Sequence, residues 1–416
     1  MAKIVALDGA SLAWARGLFG RYYREQEVPP PERLTRREFA AFPFAAETLM
    51  RRHAAVRGPE ELHRFLEQEV PRHVYYSTAY YRHPAEPSMA QKEWLGADLI
   101  FDLDADHLRG AERLDYPGQL RLVKQRLRDL VEDFLLGDFG VDPRAMEIVF
   151  SGGRGYHVHV REERFLSLSS PERRELVDYL SGQGFDPASA IERRREDGAR
   201  APGEATGRLP RTRRLAEPDA PGWRGRTTRA LLGRLAGWAA GTSDACAREI
   251  EELLVAAGRA PREARREAAH LARRLVDKGG AARIVGDREL AVPKDDVPDE
   301  LLEALLRSVA ITMQGETDAP VTTDVHRLIR LPRSLHGGTG LVVRPVSLER
   351  LADFDPFRDA TVAWEGSVPL TYAIDANYPF ATGEVRARAG GSDELPTASA
   401  AFLVLRGEAE LRPSPG

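Results

Sequence analysis

The sequence predicts an α+β fold, with antiparallel strands and helices to one side of them. Three segments carry that expectation. ADLIFDLDAD (97–106) alternates apolar and acidic residues with the period of a half-buried strand. MEIVFSGGRGYHVHV (146–160) reads as strand, glycine turn and strand. Between them, 118–136 sets Leu120, Val123, Leu127, Leu130, Val131 and Phe134 along one helical stripe.

Taken in order, the first hundred residues read as mostly helical. Leu12 to Tyr23 carries apolar residues at helical spacing, and Pro29-Pro30-Pro31 breaks the pattern. Glu60 to Val70 reads as a second helix with Leu62, Phe65 and Leu66 on one face. After the motif-bearing strands the texture changes. From about 182 to 300 the chain is rich in Ala, Arg, Glu, Gly and Pro, with helical patches at 228–238, 247–257 and 262–276. The expected organisation is the N-terminal part of a core over 1–181 and a linker plus helical insertion over 182–310, the linker reaching to about 225. The C-terminal part of the same core follows over 311–387, then a flexible tail over 388–416.

A chain of 416 residues can bury a substantial core, and 42% hydrophobic with 30% charged residues is ordinary for a globular protein. No apolar run approaches the roughly 20 residues that span a bilayer. The N-terminus lacks the pattern of a signal peptide, so a cytoplasmic enzyme with no membrane attachment is expected. One cysteine, Cys246, excludes an internal disulfide and any cysteine cluster for zinc. The net charge of −4 gives no nucleic-acid signature. The basic residues are nearly all arginine, which makes forked contacts to phosphate. An Ala/Arg/Gly-rich chain equally reflects a GC-rich genome, so local clusters must decide.

In a strand over 98–106, Asp98, Asp102, Asp104 and Asp106 share a face with Ile100, while Leu99, Phe101, Leu103 and Ala105 take the other. Two carboxylates about 7 Å apart along a strand can converge on a hard cation such as Mg²⁺ or Mn²⁺. A DxD pair alone also suits a solvated strand end, a glycosyltransferase or a phosphatase. In SGGRGYHVH (151–159), the glycines let backbone approach a ligand, and Ser151, Arg154 and exposed N–H groups form an anion cradle. The same turn by itself equally makes a plain hairpin. His157 lies next to the cradle as a phosphate donor, and His159 reads as a half-buried strand residue. In ETDAPVTTDVHRLIRLPRSLHGGTG (316–340), Asp318 precedes Pro320, and a short helix capped by Thr323 or Asp324 is expected to present Arg327 and Arg330 until Pro332 ends it. His336 follows in a glycine-flanked turn.

These three segments, in this order, resemble the signature of the small, catalytic subunit of archaeal and eukaryotic DNA primases. GADLIFDLDADH resembles that family's metal motif, SGGRGYH its phosphate motif, and DAPVTTDVHRLIRLPRSLHGGTG its third-carboxylate and basic motif. Upstream, RREFAAF (36–42) and MRRH (50–53) are similar to its N-terminal nucleotide-site segment. The resemblance covers about 35–165 and 310–345.

The resemblance implies a mixed sheet flanked by helices, the primase catalytic core, with an added helical subdomain. It implies that Asp102, Asp104 and Asp318 bind the catalytic Mg²⁺ or Mn²⁺. Ser151, Arg154 and His157 match the family's triphosphate contacts, Arg330 and His336 further contacts to the incoming nucleotide, and Glu38 and Arg52 the N-terminal nucleotide site. Asp106 and His107 take a supporting role. The implied activity is two-metal nucleotidyl transfer, making short RNA primers from nucleoside triphosphates on a single-stranded DNA template. The implied partner in a heterodimer is a primase large subunit with regulatory and iron–sulfur roles, within a nucleoid-associated replication complex. Rival readings are a related primase-polymerase of end-joining or damage tolerance and a non-catalytic scaffold. Family members commonly hold zinc in a Cys/His site just after the metal strand; HLRGAERLDYPGQL (107–120) has no cysteine, so no structural zinc is expected.

Overall fold

A computed structural model of the chain describes residues 6–45, 49–195, 211–290, 297–312 and 317–412. The chain forms two compact units, one from 1–131, 140–177 and 316–416, the other from 132–139 and 178–315. In chain order the first unit begins with α1 (Gly9–Glu25), β1 (Phe39–Phe42), β2 (Arg51–Ala54), α2 (Pro59–Glu69), β3 (His73–Ser77), β4 (Ala79–Tyr81), β5 (Trp94–Ala97), β6 (Leu99–Asp104), α3 (Tyr116–Asp129), β7 (Met146–Phe150) and β8 (Gly155–Val160). The second unit contributes β9 (Ile191–Arg195), β10 (Arg211–Leu215), α4 (Trp223–Ala240), α5 (Ser243–Ala256), α6 (Pro261–Ala272), α7 (Gly280–Asp287), β11 (Glu289–Leu290) and α8 (Asp299–Thr312). The chain then returns to the first unit through α9 (Ala319–Thr323), β12 (Leu328–Arg330), β13 (Arg344–Val346), β14 (Ser367–Tyr372), β15 (Ala376–Phe380), β16 (Gly383–Ala387), β17 (Ser392–Pro396), α10 (Thr397–Arg406) and β18 (Ala409–Leu411).

Two four-stranded antiparallel sheets organise the first unit. One has the order β12-β3-β1-β2, the other β13-β7-β8-β6. Helix α1 is capped by Asp8, whose carboxylate accepts the N–H groups of Ala10 and Ser11. Its buried face of Ala15, Leu18, Phe19, Tyr22 and Tyr23 packs with Leu62 and Leu66 of α2 against Phe39, Val74 and Tyr76 of the first sheet. Ile100 of β6, Val321 of α9, and Ala401 and Leu405 of α10 join the same cluster. The core therefore draws on both ends of the chain. The fold is α+β, as the alternating and helical patterns predict.

Three expectations need correction. The first hundred residues are not mostly helical: β1 to β5 occupy 39–97 beside α1 and α2. Runs as short as FAAF and HVYYS fit either periodicity, and only pairing decides them. The segment carrying Arg330 is strand β12, not a continued helix, because it completes the first sheet beside β3. The stretch from 388, expected to be a flexible tail, holds β17, α10 and β18, and α10 buries Phe402, Leu403 and Leu405 completely. Residues 413–416 lie outside the described residues.

In the second unit, α4 to α8 bury one apolar cluster that includes Leu231, Leu235, Ile250, Leu254, Leu271, Leu275 and Leu305. Part of the expected linker, 196–210, lies outside the described residues; on either side of it β9 pairs with β10.

Candidate active site

The strand β6 brings its carboxylates to one cleft. Leu99, Phe101 and Leu103 point into the core, so Asp102 and Asp104 share the other face. Across the strand pair, Asp102 lies opposite His157 and Asp104 opposite Gly155. That register is tight, since a Cβ on Gly155 would stand 2.4 Å from the Leu103 carbonyl oxygen. Asp318 is tied to the same strand. Its backbone N–H donates to the Asp102 carbonyl at 2.9 Å, and the Thr317 hydroxyl donates to the same oxygen at 3.2 Å. Pro320 sits in the first turn of α9, and the Asp318 carboxylate caps none of its N–H groups. It faces Asp102, with His107 Nε2 3.7 Å from its Oδ2.

Burial, then repulsion from Asp104 and Asp318, pushes the Asp102 carboxyl up to about 7. His157 is driven the other way, to about 3, by burial and by Arg330 and Arg327. It is therefore neutral, with Nε2 3.6 Å from the Asp102 carboxylate and a buried Nδ1 that finds no partner among the described residues. The donor set of three carboxylates is hard oxygen, the kind that Mg²⁺ and Mn²⁺ take. Their mutual repulsion is what a cation would relieve, so the residues fit such an ion chemically. Among the described residues no three His, Cys, Asp or Glu side chains converge as a finished metal site. Of the other two aspartates read from sequence as sharing this face, Asp98 goes elsewhere, whereas Asp106 lines the cleft. Asp98 is buried in a network with Arg37, Tyr80 and Arg161. Asp106 binds Arg154 at 2.5 Å.

The turn between β7 and β8 forms the second wall. Ser151 Oγ accepts the N–H groups of Gly153 and Gly155 at 3.3 and 3.2 Å, leaving its own proton to give. Gly152 adopts φ +77°, and a Cβ there would lie 2.6 Å from that of His336. Two outside hydroxyls pin the turn: Tyr116 donates to the Gly153 carbonyl at 2.6 Å and Thr339 to that of Gly152 at 2.5 Å.

A third wall comes from β3, β12 and the 331–343 loop. Arg330 Nη1 lies 2.7 Å from His73 Nδ1, which also accepts the Gly337 N–H at 3.3 Å. His73 is thus a neutral acceptor, held so by burial and by Arg330 and Arg72. The Arg330 guanidinium stacks over Tyr75, 5.2 Å from the ring centre. His336 accepts the Gly338 N–H on Nδ1 at 3.2 Å, which leaves the proton on Nε2, the atom beside Gly153. Arg52 lines the cleft from β2, gripped by both oxygens of Glu38 at 3.0 and 3.3 Å. Glu38 itself is fully covered, beside the buried Lys92 ammonium at 3.3 Å. Glu38, expected at the nucleotide site, does not line the cleft itself and reaches it through Arg52, which it positions.

The resulting cleft of about 680 Å³ gathers Asp102, Asp104, Asp318, Ser151, Arg154, His157, Arg330, His336 and Arg52. It also holds residues outside the expected set: His73, Tyr75, Tyr116, Thr339 and Arg406. Thr339 sits inside the HGGTG run and was open to notice. The others come from segments with no motif, and only pairing and packing bring them in.

An α+β core whose cleft sets three carboxylates against a glycine turn, arginines and neutral histidines is an enzyme fold built to handle an anionic substrate. A family model described as DNA primase small subunit matches residues 101–348. A protein of Methanothrix thermoacetophila named DNA primase small subunit PriS is 37% identical over 97% of this chain and all of its own length. A protein of the same name from Methanocella arvoryzae is also 37% identical, over 98% of this chain and all of its own. One from Thermoplasma volcanium is 33% identical over 94% and 96%. The chain belongs to the DNA primase small-subunit family. It is thereby a nucleotidyltransferase-type enzyme of DNA replication. Among the described residues no helix is long and apolar enough to cross a membrane.

Proposed function

We propose that this cleft joins nucleoside triphosphates into short RNA primers on a single-stranded DNA template, in a heterodimer with a primase large subunit. Asp102, Asp104 and Asp318 would hold Mg²⁺ or Mn²⁺. A divalent cation there supplies Lewis-acid polarisation of the phosphates and activation of the primer hydroxyl. The chain's own part is charge placement. The Ser151 hydroxyl, the Arg154 and Arg330 guanidiniums and the Nε2–H of His336 donate to triphosphate oxygens as negative charge shifts toward the leaving group. Arg154 trades its contact with Asp106 for the ligand. Arg52, fixed by Glu38, guards the opposite side. Work on a replication template places the enzyme in the cytoplasm, on the nucleoid, with iron–sulfur and regulatory roles left to the large subunit.

One observation supports this above the others: Asp318 is hydrogen-bonded through its backbone to Asp102, so carboxylates 216 positions apart face one anion cradle. The test is primer synthesis on single-stranded DNA with ribonucleotides, with and without the large subunit, in Mg²⁺ and in Mn²⁺. Asp102→Ala and Asp104→Ala are expected to lose incorporation by at least about a thousandfold while staying folded. Near-normal synthesis by either folded variant would overturn the assignment.

A further inference from the structure

We infer that Arg406, at the end of α10, forms a subsite for the terminal phosphates of the triphosphate, and hence for pyrophosphate. This rests on the reading of the cleft as a triphosphate site. It adds a ligand contact from a segment beyond the 101–348 stretch that the family model matches.

The local chemistry builds the subsite step by step. Helix α10 ends at Arg406, and Gly407, at φ +72°, turns the chain so that Glu408 comes back onto it. Arg406 gives Nε and Nη2 to Glu408 Oε1 at 2.7 and 2.6 Å, and Tyr378 donates to the other carboxylate oxygen at 2.7 Å. The guanidinium stacks over Tyr116 at 4.4 Å and Phe402 at 5.1 Å. The same Tyr116 holds the Gly153 carbonyl through its hydroxyl. One ring therefore fixes both Arg406 and the phosphate turn.

The Arg406 side chain also reaches the cleft. Arg406 lines it with Ser151, Gly153, His336 and Thr339, whereas Glu408 does not. The bonds to Glu408 use Nε and Nη2, and the Tyr378 hydroxyl lies beside the same guanidinium, so Nη1 is the nitrogen that Glu408 leaves untaken. Glu408 thus orients the guanidinium without taking its last edge. Arginine with one edge anchored by a carboxylate, beside backbone donors, is suited to phosphate oxygens. A purely structural tie between α10 and the core would not need the side chain in the cleft.

The experiment is titration of pyrophosphate and, separately, of a nucleoside monophosphate into the full-length protein with Mg²⁺. Two variants guard against misfolding. Arg406→Lys keeps a cation for Glu408 but leaves no second donor edge, and Arg406→Met with Glu408→Gln removes the pair together. Melting temperature checks that each is folded. In a folded variant pyrophosphate affinity should fall about tenfold or more and the KM for triphosphate should rise in parallel, while monophosphate affinity stays within about twofold. Unchanged pyrophosphate affinity, or an equal loss for monophosphate, would overturn the inference. Arg154→Ala serves as the reference: if pyrophosphate ignores Arg154 as well, the failure lies with the triphosphate reading of the cleft, not with Arg406.

Discussion

Asp102 shows how a single residue can serve chemistry against stability. It is only 20% exposed and faces Asp104 and Asp318, so its charge is unwelcome in the chain alone. Asp102→Asn removes one like charge at almost no change in volume. In chelator this variant is expected to melt a few degrees above the wild type, a gain on the order of 1–2 kcal/mol, while incorporation is lost. A lower melting temperature would mean that the carboxylate is satisfied in some other way. Glu38 is the opposite case. It lies buried between the Arg52 guanidinium, the His53 N–H and the Lys92 ammonium. Glu38→Ala strands a buried cation and should cost about 3–5 kcal/mol in denaturant unfolding. Glu38→Gln combined with Lys92→Met should recover most of that loss, because no buried charge is then left without its partner. Arg52 would still lose its clamp in the double variant, so its KM for nucleotide should stay raised.

At the scale of elements, the contact between β6 and β8 decides whether Asp102 meets His157 at all. A methyl on Gly155 meets the Leu103 backbone at 2.4 Å, and backbone in a paired strand cannot step aside. Gly155→Ala is expected to destabilise by about 1–3 kcal/mol and to lower activity with it. Gly233→Ala, at an exposed position of α4 with nothing within 4 Å of the new methyl, should instead stabilise by roughly 0.5–1 kcal/mol. Thermal melts of the two variants side by side read out both signs. These motif strands were legible because their side chains alternate sharply around a glycine turn, and so were the stripes of α1, α2 and α3. Three kinds of element were hidden. FAAF and HVYYS are too short for periodicity to choose strand over helix. β12 looks helical from Asp324 onward, and only β3, some 250 positions earlier in the chain, makes it a strand. α10, TASAAFLVLR, is apolar on nearly every face, so it has no stripe to detect. The site shared this division: the aspartates and the SGGRG turn were visible, whereas His73, Tyr75, Tyr116 and Arg406 reach the cleft only through tertiary packing.

Across the whole molecule, the C-terminal segment is part of the core rather than an appendage, and removing it is a severe test of the fold. In the first unit α10 buries Ala400 through Leu405, each 1% exposed or less. Leu405 and Ala401 share a cluster with Phe19 and Tyr23 of α1, and Phe402 packs edge-on against Tyr116, Phe357 and Tyr378. β18 then pairs with β14, whose other edge is β17. A stop codon after Gly391 would delete β17, α10 and β18 together. It would expose the inner faces of α1 and β14 and remove the ring partner of Tyr116, which pins the phosphate turn. Each large apolar side chain so exposed forfeits about 1.5–3 kcal/mol, and several such losses exceed the 5–15 kcal/mol that holds an ordinary domain together. The truncated protein is therefore expected to lose its cooperative melt, bind a hydrophobic dye and incorporate no nucleotide. A truncated chain that still melts sharply and makes primers would show that α10 is dispensable to the core. Stopping instead after Arg412, beyond β18, should leave melting and activity unchanged, which separates the loss of packing from the mere loss of length.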